Sequence, residues 1–97
     1  MIKNFKLFVK GIEIKDRKYH TKLYPQCFVG KEAFEWLKKN IVNSKEKAMK
    51  LGQQFMDLNL IRHVTHDHNF QDKYLFYCLT PQGYSTLDSG QEYHSFF

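Results

Sequence analysis

Four fixed positive charges fall within residues 15–22: Lys15, Arg17, Lys18 and Lys22, with His20 among them and Asp16 as the one carboxylate. Such a cluster makes and breaks no bonds. Its chemistry is recognition of anions, because ammonium and guanidinium groups keep their charge near neutral pH. On a hairpin the side chains divide between two faces, but long lysines at a tip converge on a flat anionic surface. Asp16 reads as a partner for a neighbouring arginine or backbone amide rather than as a functional acid. Lys31, Lys38 and Lys39 form a second basic patch.

Other residues with chemistry to offer fall short of a site. His63, His66 and His68 invite a metal reading, but a strand would place the first two on opposite faces, and apart from Asp67 nothing completes four ligands. Glu32 and Glu35, with Lys31, Lys38 and Lys39 beside them, read as a solvated or docking helix face rather than paired catalytic acids. Cys27 and Cys78 match no metal spacing and read as buried free thiols, with a disulfide between them the alternative left open. There is no Ser/His/Asp or Cys/His set and no glycine-rich phosphate loop. No catalysis, cofactor or metal is expected.

These residues must be positioned by a small fold. The 97 residues suffice for one domain, and 42% hydrophobic against 26% charged residues predicts a folded core. No apolar run approaches the roughly 20 residues that span a bilayer, and no apolar signal core stands at the start, so a cytosolic protein is expected. The net charge of +5 is uneven: residues 1–50 carry +8 and residues 51–97 carry −3. That asymmetry favours an anionic partner, phospholipid or nucleic acid.

Ile2, Phe5, Phe8, Val9 and Ile12 recur at helical spacing and Gly11 closes the segment. Residues 12–25 alternate partly and predict an extended two-stranded arm. Ala33, Phe34, Trp36, Leu37 and Ile41 predict a second helix over residues 31–40, anchored by Trp36. Ser44 as N-cap, Glu46 in the first turn, an apolar face of Ala48, Leu51, Gly52, Phe55 and Leu58, and Asn59 as stop predict a third. Residues 60–65 and 73–79 predict a hairpin. Phe28, Phe34, Trp36, Phe55, Phe70, Tyr74 and Phe76 read as core rather than as a base-stacking platform. Pro81, Gly83 and the Ser/Gly-containing segment 85–90 are expected to end the ordered pattern, and Phe96-Phe97 suggests a chain that continues.

This order is that of an α+β winged helix: a three-helix core, a β-hairpin arm between helices 1 and 2, and a C-terminal β-hairpin. Winged helices also bind DNA through the third helix, and Lys45, Lys47, Lys50, Gln53 and Gln54 would suit that modestly. The wing, residues 66–73, has two carboxylates and one lysine and suits phosphate poorly, so nucleic acid is not the expected partner.

Four blocks resemble the DEP domain family, named partly for Dishevelled and pleckstrin: Ile14 to His20, Leu23 to Glu32, Trp36-Leu37, and Phe70 to Tyr77. They look most like the DEP domains of cyclic-AMP-regulated Rap exchange factors and of the mTOR-associated DEP protein. The resemblance implies a non-enzymatic signalling module, residues 1–81, followed by a tail or linker, residues 82–97. It implies recruitment to the cytoplasmic inner face of membranes through anionic phospholipid, docking on signalling proteins or receptor tails, and monomer as the favoured state. The family's lipid-contacting arm positions match Lys15, Arg17, Lys18 and Lys22. Pro25 stands where the Rap exchange factor domains can carry an arginine, which leaves the headgroup open.

Overall fold

The computed structural model describes residues 2–95, with side-chain surroundings for residues 2–88; the Phe96-Phe97 pair lies outside them. The elements are α1 (Ile2–Gly11), β1 (Lys15–Tyr19), β2 (Lys22–Val29), α2 (Gly30–Leu37) continuing into a π-helical turn (Lys38–Val42), α3 (Lys45–Asp57), β3 (Ile61–His63), β4 (Phe76–Leu79) and α4 (Pro81–Ser95). The expected α+β winged-helix order is present, with one helix added.

Phe8 centres an aromatic core. Its ring meets Phe28, Trp36 and Phe55 at centroid distances of 5.6, 6.2 and 5.1 Å, and Phe5 reaches Phe55 at 5.2 Å. Both α1 phenylalanines are fully buried, so helix spacing in the sequence becomes the contact between α1 and α3. Ile2, assigned to the same stripe, is 55% exposed. Trp36 is only half-buried; its indole lies across Gly11, where any β-carbon would strike the ring. The buried anchors of α2 are Ala33, Phe34 and Leu37.

No side chain caps α2. Instead Gly30 and Lys31 donate their backbone N–H groups to the Leu75 and Lys73 carbonyls, which satisfies the orphan donors of the first turn. The helix expected over residues 31–40 leaves α geometry at Lys38, and Asn40 donates its side-chain amide to the Trp36 carbonyl, the acceptor its own α-helical N–H would use. The reading of α3 holds at both ends. Ser44 Oγ accepts the Lys47 N–H at 3.2 Å. Asn59 is left-handed at φ 61°, with Asn59 and Leu60 donating to Met56 and Phe55 in a Schellman closure. Leu58 therefore lies past the helix and is exposed.

The two expected hairpins share one sheet, ordered β1-β2-β4-β3. β2 is long enough to do both jobs: its first half pairs with β1, and Cys27, Phe28 and Val29 pair with Cys78, Tyr77 and Phe76 of β4. Cys27 and Cys78 face each other as free thiols, Cys27 buried and Cys78 half-buried. Burial pushes both up from the usual thiol range, with Arg17 opposing at Cys27 and Arg62 at Cys78.

β3 and β4 are shorter than the runs of residues 60–65 and 73–79. The chain turns because His63 Nδ1 accepts the N–H groups of Thr65 and Asp67, with His66 left-handed at φ 63°. His63 is thus buried beside Tyr77. Phe70 is buried as expected, its N–H held by Gln53 Oε1. Tyr74, expected in the core, is 76% exposed, and Phe76 is half-buried.

The ordered pattern does not end at Pro81. Thr80 Oγ1 accepts the Gly83 N–H at 2.9 Å and donates to the Asn59 carbonyl, so Thr80 caps a helix whose first residue is proline. Gly83 sits against the Leu60 carbonyl, where a β-carbon would collide, and Leu87 packs on the core. Residues 82–95, read as tail or linker, are helical.

Candidate functional site

The arm begins with a bulge. Lys15 pairs with Cys27, but Arg17 pairs with Tyr24, so Asp16 opposes both Pro25 and Gln26. Pro25 has no N–H to lose from the ladder, and Gln26 bulges at φ 46° with its N–H donated to Asp16 Oδ1 at 2.9 Å. Asp16 is the backbone-amide partner expected of it.

Past the bulge, Lys18 pairs with Leu23 and Tyr19 with Lys22 across a two-residue turn in which His20 takes φ 56°. Paired residues share a face. One face therefore carries Arg17, Tyr19, Lys22 and Tyr24, and the other Lys18 and Leu23.

These positions separate the four predicted cations. Arg17 is turned inward, its side chain 12% exposed. Its Nε donates to the Cys27 carbonyl at 3.1 Å and its NH2 to the Glu13 carbonyl at 3.0 Å, with Glu13 and Glu32 carboxylates each at 3.8 Å. Lys15 is exposed and lies 3.6 Å from Glu13. Lys18 and Lys22 are exposed and, among the described residues, pair with no carboxylate. Lys22 lies over the Tyr24 ring at 5.4 Å. Beside these two, Tyr19 and Leu23 are 59% and 57% exposed. Sequence reasoning did not single out Tyr19 and Leu23; the available signal was two large side chains beside a hairpin turn, of which the Tyr19 ring meets Phe76 edge-on at 6.5 Å.

The second patch divides as well. Lys31 and Lys39 line a cleft of about 450 Å³ with Trp36 and Tyr74, while Lys38 turns to Glu35 at 3.4 Å and to the Phe34 ring. Lys31 is 3.7 Å from Asp72. Glu32 and Glu35 are thus each engaged by a cation. Among the described residues, no group of three His, Cys, Asp or Glu is placed to hold a metal, and no helix is long and apolar enough to cross a membrane.

A family model described as the domain found in Dishevelled, Egl-10 and pleckstrin matches residues 11–79. The vacuolar membrane-associated protein IML1 of Saccharomyces cerevisiae is 40% identical over 73 residues, 73% of this chain and 5% of that protein. Its counterpart in Emericella nidulans is 35% identical over 75 residues, 75% of this chain and 4% of that protein. This chain thus spans about one twentieth of the length of those relatives. Among solved structures, the DEP domain of human pleckstrin superposes with a TM-score of 0.60 at 16% identity, covering 82% of this chain and all of that one. Mouse pleckstrin DEP gives 0.63 at 17% identity, covering 84% and 85%. Domains of this kind are signalling modules, generally without catalytic activity. The matched blocks, the winged-helix sheet and the arm between α1 and α2 agree: this chain belongs to the DEP domain family.

Proposed function

We propose that this domain is a non-enzymatic targeting module that holds its parent protein on an anionic phospholipid surface, peripherally and from the cytoplasmic side, where it docks on membrane-associated signalling proteins such as receptor tails. The observation that carries this is the arm tip, where two lysines with no carboxylate partner among the described residues flank exposed Tyr19 and Leu23. Lysines at the headgroups with an aromatic and an aliphatic side chain at the acyl boundary are what an interfacial anchor requires. The vacuolar membrane association of the IML1 relatives supports the same reading.

Each lysine near an anionic leaflet contributes about 1 kcal/mol. Burying the exposed parts of Tyr19 and Leu23 adds about 1 kcal/mol each. The total of about 4 kcal/mol corresponds to millimolar binding, which suits a module that acts beside other domains of a longer protein. Lys15 adds long-range attraction, and Arg17 holds the arm in place.

Flotation with vesicles tests this. The native chain should float with vesicles rich in anionic headgroups and not with phosphatidylcholine alone, less so as salt rises and the Debye length falls below about 8 Å. Lys18→Glu with Lys22→Glu should abolish flotation and leave circular dichroism unchanged. Equal flotation of that folded variant would remove the arm tip from the proposal.

A further inference from the structure

α1 has a second face that the aromatic core does not use. Lys3, Lys6, Leu7 and Lys10 recur at three- and four-residue spacing, so they form one stripe opposite Phe5 and Phe8. Residues 1–12 contain no carboxylate. Among the described residues, none of these three lysines pairs with an acid, whereas Lys15, Arg17, Lys31, Lys38 and Lys50 all do. Leu7 is 44% exposed between them. Together with Val9 and with Leu87 of α4, this stripe lines a groove of about 420 Å³.

We propose that the groove between α1 and α4 is a docking site for an acidic amphipathic helix. Its carboxylates, at three- and four-residue spacing, would face Lys3, Lys6 and Lys10, and an aliphatic side chain between them would fill the space bounded by Leu7, Val9 and Leu87. Charge selects the sign of the partner, since three cations on one stripe, unopposed among the described residues, repel a basic segment and attract an acidic one. Concavity selects its shape. A flat leaflet would rest on the lysine rim and leave Val9 and Leu87 uncovered, whereas a helix laid in the groove buries them. The site lies apart from the arm residues and does not depend on how the arm is used.

The test uses two peptides of about four helical turns and identical composition. In one, Glu and Leu share a face at three- and four-residue spacing; in the other they are scrambled around the helix. The facial peptide should bind the chain and shift the amide resonances of residues 3–10 and of Leu87, with the scrambled peptide weaker by roughly tenfold or more. Lys3→Glu with Lys6→Glu, a change that suits the positive end of the helix dipole, should weaken the facial peptide by roughly tenfold without lowering the melting temperature. Leu7→Ser should erase the preference for the facial peptide, and Lys18→Glu with Lys22→Glu should leave it intact. Failure of the facial peptide to bind, equal affinity for both peptides, or shifts confined to residues 15–24 would each overturn the proposal. So would loss of anionic-vesicle flotation in the Lys3→Glu, Lys6→Glu variant with no facial preference in the native chain, which would make α1 a membrane contact.

Discussion

At the base of the arm, Asp16, Arg17 and Gln26 direct their polar atoms to the chain itself; at its tip, the side chains of Lys18, Tyr19, Lys22 and Leu23 are exposed to solvent. Both ends carry fixed cations and sit on the same two strands. The difference shows that local charge density does not tell whether a cation is already engaged: Arg17 donates to two carbonyls, whereas neither tip lysine meets a carboxylate among the described residues.

Substitutions along β2 sharpen that contrast. The largest loss is expected where the strand enters the core: Phe28→Ala removes a fully buried ring from beside Phe8 and Tyr77 and should cost about 3–5 kcal/mol in denaturant titration. Arg17→Ala comes next. It leaves the Cys27 and Glu13 carbonyls without their donor, and about 2–3 kcal/mol should be lost. An Arg17→Ala domain of native stability that no longer floats with anionic vesicles would reverse the assignment of base and tip. Leu23→Ser at the tip should leave stability within about 0.5 kcal/mol and weaken vesicle binding about fivefold, read by titration of lipid.

The smallest effect concerns pH and lies away from the arm. Burial holds the His63 imidazole below its usual value, with His68, His66 and Arg62 acting in the same direction and Asp67 against it. The unfolded chain therefore takes up this proton more readily than the folded one. The contribution is complete above the usual imidazole pKa of about 6.5 and is lost as pH falls from there through the lower folded value. Melting followed from neutral to mildly acidic pH should show the decline. His63→Asn, whose side-chain oxygen keeps an acceptor for the Thr65 and Asp67 amides without titrating, should flatten it.

Much of the frame is legible in the sequence. Ser44 and Asn59 mark α3 because capping and left-handed closure are properties of a few adjacent residues. Glycine is required at position 11 for a reason that periodicity does not show, the Trp36 ring across it. α4 is not legible from residue type, because Pro81 and Gly83 are ordinarily helix breakers. The Thr80-Pro81 pair is a helix start, and Gly83 is required by the Leu60 carbonyl pressed against it. Tyr74 was assigned to the core on residue type, yet it stands at a cleft rim, since the chain before β4 is irregular and does not alternate.

Residue types and their spacing determined the family, the order of the elements and the excess of positive charge in the first half, all of which depend on neighbours along the chain. Which lysines are free to meet a partner was decided by tertiary structure. The bulge at Asp16 and Gln26 shifts the strand register by one residue, and a one-residue shift reassigns every following side chain across the pair. The two carbonyls that claim Arg17 come from the opposite strand and from the chain entering the arm, so its inward turn appears only once all three segments are in place.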